Sequence, residues 1–127
     1  MSIIDWGVIY AIAMVLHGIG HIIGVIAVSE VIKFEGFTNE SWLLTGRLGI
    51  RGTALRVLAV FWIIPIIGFI AVAWGIWFGL VWWRLLAGAM TVLSVILFVL
   101  WWNGFPKNVP IQANIGNLVA IIGLILL

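Results

Sequence analysis

Trp6–Val28 reads WGVIYAIAMVLHGIGHIIGVIAV, 23 residues without a single Asp, Glu, Lys or Arg. A helix of ~20 apolar residues, rising ~1.5 Å per residue, crosses the hydrocarbon core of a bilayer. The same stretch carries the only two histidines of the chain, His17 and His21. Their i, i+4 spacing places both on one helix face. Ionisable groups at that depth are costly, so they turn toward protein or water rather than lipid. Any chemical centre of this protein is expected here.

Three further uncharged segments follow, at about Val57–Phe78, Leu85–Trp102 and Ile111–Leu127. The whole chain is 65% hydrophobic and only 8% charged, which excludes an ordinary soluble domain. A membrane barrel would show alternating polar residues, and these segments do not. The expected fold is all-α: one polytopic domain over residues 1–127, a bundle of four transmembrane helices. The first charge is Asp5, where a signal peptide carries Lys or Arg, so the first span is expected to be retained. Cysteine is absent, which excludes disulfides, thiol catalysis and iron–sulfur ligation. The net charge of +2 comes from a handful of basic residues and does not describe a nucleic-acid surface.

The longest connection, residues 29–56, contains Asn39-Glu40-Ser41 ahead of Trp42-Leu43-Leu44. That order predicts a short interfacial helix with a polar cap. Arg47, Arg51 and Arg56 lie beside Gly46, Gly49 and Gly52. They are read as topology signals that contact lipid headgroups, not as a nucleotide loop, which needs Gly-Lys-Ser/Thr after a strand. Loops one and three hold Lys33, Arg47, Arg51, Arg56 and Lys107, while the opposite side holds only Arg84. Loops one and three are therefore expected in the cytoplasm and both termini outside the cell membrane. Trp6, Trp77, Trp82 and Trp83 would mark one interface, and Trp42, Trp101 and Trp102 the other. Trp62 and Trp74 fall inside the second span, to pack or to face lipid. Gly20 with Gly24, Gly68 with Gly75 and Gly116 with Gly123 are spaced for close helix approach, and Pro65 is expected to kink the second span.

These directions allow polar residues to be matched by depth. His17 falls near mid-membrane and His21 about one turn, ~6 Å, further in. On the third span Thr91 and Ser94 share a face near the His17 level. On the fourth, Gln112, Asn114 and Asn117 enter near the His21 level. His17, His21, Ser94, Asn114 and Asn117 are thus expected to form one intramembrane polar patch.

Several roles fit such a patch. Histidine, serine and asparagine hydrogen-bond between membrane helices and hold bundles together. His17 and His21 can share a metal ion, but two ligands are too few, and a second subunit or the asparagines would have to complete the set. Haem would take one axial histidine per chain, because two on one helix face cannot lie on opposite sides of an iron. A proton or solute path would use histidine as a relay. Hydrolase or transferase chemistry is not expected, because the spans hold no acid–base pair or activated nucleophile.

His17-Gly18-Ile19-Gly20-His21-Ile22-Ile23-Gly24 resembles the first helix of a group of small, uncharacterised prokaryotic four-helix integral membrane proteins. These carry His-Gly-x-x-His-x-x-Gly. Leu93-Ser94 through Trp101-Trp102, Ala113-Asn114 and the Trp82-Trp83-Arg84 turn resemble the same group, and the first loop is longer here. The resemblance implies four helices and picks out His17, His21 and Asn114; it implies no activity. The architecture is also similar, more loosely, to DoxX-like membrane proteins, which implies a respiratory or quinone-linked setting. The functional expectation is a small membrane protein, homo-oligomeric or an accessory subunit of a larger membrane complex, partnered by lipids and not nucleic acid. A metal- or haem-binding redox protein and an oligomeric transporter or channel are the alternatives.

Overall fold

The structure, a computed structural model, describes residues 5–127. It is all-helical, with no strand among the described residues. Four helical segments are long and apolar enough to cross a membrane: Trp6–Ser29, Thr53–Trp77, Trp83–Leu100 and Asn108–Leu126. The first consists of α1 (Trp6–Gly20) and α2 (Ile22–Ser29), the second of α3 (Thr53–Val57) and α4 (Val60–Trp77). The third and fourth are α5 (Trp83–Leu100) and α6 (Asn108–Leu126).

Asp5 starts α1 by accepting hydrogen bonds from the Gly7 and Val8 amides through Oδ1, at 2.9 and 3.2 Å, which satisfies two of the helix's unpaired donors. The spans are arranged as a ring in which α1 packs on α4, α4 on α5, α5 on α6, and α6 back on α1. Register fixes their directions. A Cβ on Gly7, Gly18 or Gly24 would meet Ile76, Phe69 or Trp62 in turn, so the first and second spans are antiparallel.

Two apolar clusters fill the ring. Tyr10, Met14, Phe69, Val72, Ala87 and Ala120 form one. Val28, Leu55, Trp62, Phe98, Trp101 and Phe105 dominate the other. The two histidines lie between them, His17 against Phe69 and His21 against Phe98, with ring centroids 4.8 and 5.3 Å apart.

Loop one differs from the expected interfacial helix. Residues 42–48 form consecutive turns, with Gly46 and Leu48 amides bonded five residues back to Ser41 and Leu43 carbonyls. The segment is spent on capping α5: Ser41 Oγ donates to the Leu100 carbonyl, Trp42 Nε1 to that of Val99, and Asn103 Oδ1 accepts from the Trp42 amide. A helix's last carbonyls lack internal partners, and here another loop supplies them. Loop three locks onto the same surface, with the Thr38 amide donating to the Gly104 carbonyl and Trp101 Nε1 to that of Asn39. Trp101 is therefore not an interface marker; it is 1% exposed, inside the core.

The glycines also act differently from their spacing. Gly18, not Gly20, makes the close approach: a Cβ there would lie 2.9 Å from Phe69 Cβ and 3.2 Å from the Ile66 carbonyl oxygen. Gly24, Gly116 and Gly123 accommodate rings, those of Trp62, His17 and Tyr10, while nothing lies within 4 Å of a Cβ on Gly20. Gly68 and Gly75 accommodate Met90 and Trp83. α4 continues unbroken through Pro65, and the second span's departure from regular helix falls earlier, at Leu58 and Ala59. Trp62 is fully buried and Trp74 largely exposed.

Candidate functional site

The first span is broken at His21, and the break is chemical. In a regular helix the His21 amide would donate to the His17 carbonyl. Instead it donates to the Gly18 carbonyl, at 3.1 Å. The freed His17 carbonyl oxygen accepts from His21 Nδ1–H at 2.8 Å. The imidazole thus replaces a backbone donor of its own helix and divides the span into α1 and α2.

This contact fixes the tautomer of His21, since a carbonyl only accepts and Nδ1 must carry the proton. No carboxylate shares this depth to balance an imidazolium. Nε2 is then a lone pair, and Ser94 Oγ donates its hydroxyl proton to it at 2.7 Å. His21 is 1% and Ser94 0% exposed, and each satisfies the other.

His17 takes the opposite tautomer. Asn117 directs its Nδ2 amide to Asn114 Oδ1 at 3.2 Å, which leaves Asn117 Oδ1 facing His17. His17 Nε2–H donates to that oxygen at 2.8 Å, so Nδ1 is the lone pair. Nδ1 accepts from no described residue. It lies on the Gly116 side, where a Cβ would approach within 2.4 Å and push the ring away. Glycine at 116 is what lets His17 lie against α6.

One hydrogen-bonded line therefore runs Ser94–His21–His17–Asn117–Asn114 and joins the third, first and fourth spans. The two histidine rings, with centroids 4.9 Å apart and near-perpendicular, are linked only through the His17 backbone carbonyl. That carbonyl is not a group that passes a proton on, so the line is not a continuous proton wire. Thr91 stays out of it; its Oγ1 donates back to the Ala87 carbonyl at 2.7 Å. Gln112 also stays out, exposed at the start of the second turn of α6.

Measured against metal chemistry, the arrangement offers little. Both His21 nitrogens are already engaged, and no group of three or more His, Cys, Asp or Glu side chains able to hold an ion occurs among the described residues. His17 Nδ1 is the one open ring nitrogen, enough for a single ligand to a metal or haem iron from this chain.

The three arginines do not act together. Arg56 Nε lies 3.5 Å from Glu30 Oε1, and Glu30 also pairs with Lys33 at 3.6 Å and accepts from Asn39 Nδ2 at 2.7 Å. Glu30 ends α2 in a left-handed conformation, φ 57°, and ties the first span to the start of the second. Arg47 and Arg51 are exposed and have no ion-pair partner among the described residues. At the other end of the bundle Arg84 donates to the Leu124 carbonyl at 3.1 Å and to that of Leu127, and its guanidinium stacks 4.6 Å from the Trp83 ring. No Asp or Glu among the described residues pairs with it; it complements the carbonyl end of α6.

The Gly116 seat for His17 and the Tyr10 Oη–H donating to the Ala120 carbonyl at 2.8 Å are contacts that sequence reasoning missed. The pairing of α1 with α6 was their only available signal. No family model, curated protein or solved structure matches the chain.

Proposed function

We propose that this chain is a small, non-catalytic integral membrane subunit, acting as a homo-oligomer or within a larger membrane complex, whose intramembrane polar line fixes one arrangement of its four spans. The observation that carries this reading is the use of both histidines as bridges: His21 to Ser94 and His17 to Asn117, at 2.7 and 2.8 Å. Each partner lies on a different span, the Ser94 hydroxyl is fully buried, and no metal-ligand set accompanies the pairs among the described residues. In lipid, where packing rather than water exclusion holds helices together, such bonds specify which faces meet. Loops one and three face the cytoplasm, on the strength of Lys33, Arg47, Arg51, Arg56 and Lys107 against Arg84.

The chain has no cysteine, so single-cysteine variants report both parts of the proposal. Cysteine at Lys107 is expected to resist an impermeant thiol reagent in intact cells, and cysteine at Val81 to react; the reverse pattern contradicts the orientation. Asn117→Leu is expected to lower the thermal stability of the purified protein in detergent without creating or abolishing a cofactor spectrum. Unchanged stability contradicts the bridging role.

A further inference from the structure

The α1–α6 seam carries two openings. Toward the start of α6 a groove of about 260 Å³ is lined by His17, Gly20, His21 and Gln112 among apolar residues. Toward its end a groove of about 400 Å³ is walled by Trp6, Ile9, Ala13, Val119 and Ile122, almost without polar atoms. One half of the seam offers hydrogen bonds and the other only hydrocarbon. The polar half begins beside Val109, at the entry of α6 into the membrane. From Gln112 to Leu126 α6 rises ~21 Å, longer than the ~15 Å of one leaflet's hydrocarbon.

The two polar groups left over in this groove are complementary. His17 Nδ1, beside Gly116 one turn along α6 from Gln112, is a lone pair with no donor among the described residues, since Asn117 occupies Nε2. The Gln112 amide is exposed and bonded to no described residue. Together they present an acceptor for an O–H and a donor for a C=O. We infer that this seam binds a long-chain fatty acid in its protonated form, with the carboxyl group between His17 and Gln112 and the chain lying along α1 and α6 toward Trp6. A phospholipid headgroup is too large and too charged for a groove at the small end of ligand sites. An alcohol must serve His17 and Gln112 through one oxygen, whereas a carboxyl group reaches them with two separate oxygens, and an ester has no proton for His17.

Gly20 supplies a clean variant. It lines the polar groove and has open space at its Cβ position, so Gly20→Leu adds a side chain at the groove from a position where the Cβ itself meets nothing. Gly88 on α5 is equally open and away from the seam, so Gly88→Leu is the control. The protein in lipid nanodiscs is exposed to palmitic acid carrying a mid-chain diazirine, irradiated, and its peptides are mapped. Labels are expected at Ala13, Leu16 or Val119. Labelling is expected to fall about tenfold in Gly20→Leu and in Gln112→Leu and to persist in Gly88→Leu. Excess unlabelled palmitic acid is expected to compete; methyl palmitate and hexadecanol are expected to compete at least tenfold more weakly.

Labels scattered over all lipid-facing residues, or unchanged in Gly20→Leu, would show ordinary annular lipid and overturn the site. Equal competition by the ester or the alcohol would overturn carboxyl recognition. The inference rests on the membrane-spanning reading and on the His17–Asn117 contact that leaves Nδ1 without a donor, but not on what that contact contributes to stability. A protein with wild-type stability that fails to label refutes the ligand alone, whereas unchanged stability in Asn117→Leu refutes the bridging role alone, since labelling is read on the wild-type protein.

Discussion

His21 and Ser94, 73 positions apart in the chain, meet at 2.7 Å in the centre of the bundle, where neither side chain reaches solvent or lipid. Ser94→Ala leaves the His21 Nε2 lone pair without a donor. Replacing it is expected to cost roughly 0.5–2 kcal/mol, the range of a hydrogen bond between membrane helices, read as a lower unfolding midpoint in detergent. A midpoint identical to wild type would mean that the pair contributes nothing to the fold.

Gly18 and Gly20 make a sharper contrast. A methyl at Gly18 falls 2.9 Å from Phe69 Cβ and against backbone oxygen of α4, so Gly18→Ala is expected to destabilise by ~1–3 kcal/mol through overpacking. Gly20→Ala meets nothing and is expected to be neutral, or to stabilise by up to ~1 kcal/mol through helix propensity. Equal effects in the same unfolding assay would disprove the packing assigned to the first two spans.

Ser41 tests the interlocked loops. Its Oγ donates to the Leu100 carbonyl and accepts from the Leu44 amide at 3.2 Å. Ser41→Ala is expected to cost ~1 kcal/mol and to speed amide exchange over residues 41–48 and the last turn of α5 together. Exchange that rises in the loop alone would show that the cap does not couple the two.

Arg84 is the counterpart at the other end. Arg84→Met removes the donors to the Leu124 and Leu127 carbonyls and a favourable charge at the α6 carbonyl end, worth ~0.3–1 kcal/mol. Faster amide exchange confined to the last turn of α6 is the expected outcome; unaltered exchange would remove the capping role.

Much of this organisation is legible in the chain itself. Four apolar runs near membrane length fix four helices, because few other structures satisfy backbone groups in hydrocarbon. Depth along antiparallel spans gathers His17, His21, Ser94, Asn114 and Asn117 into one patch, and hydrogen bonds join those five, but Ser94, expected at the His17 level, bonds to His21 one turn further in.

The illegible parts share a cause. The break at His21 depends on a side chain that competes for its own helix's carbonyl, which leaves no mark in an apolar sequence. Trp101 carries the same residue type as Trp102, yet one is buried and the other 43% exposed, and only the fold of loop three decides which. Spacing pairs Gly20 with Gly24, but rotation of the helix about its axis decides that Gly18 meets α4. Loop one reads as a capped helix because Ser41 does act as a cap; its hydroxyl proton goes to α5, a partner 59 positions away.

The two histidines hold opposite tautomers, that of His21 set by the His17 carbonyl of its own span and that of His17 by Asn117 on the fourth. Nitrogen-15 spectra of histidine-labelled protein in lipid, assigned through His17→Gln and His21→Gln, measure this assignment directly. A proton is expected on Nδ1 of His21 and on Nε2 of His17, with the His21 signal shifting in Ser94→Ala and the His17 signal in Asn117→Leu. Both rings in one tautomer, or either ring as an imidazolium, would contradict it.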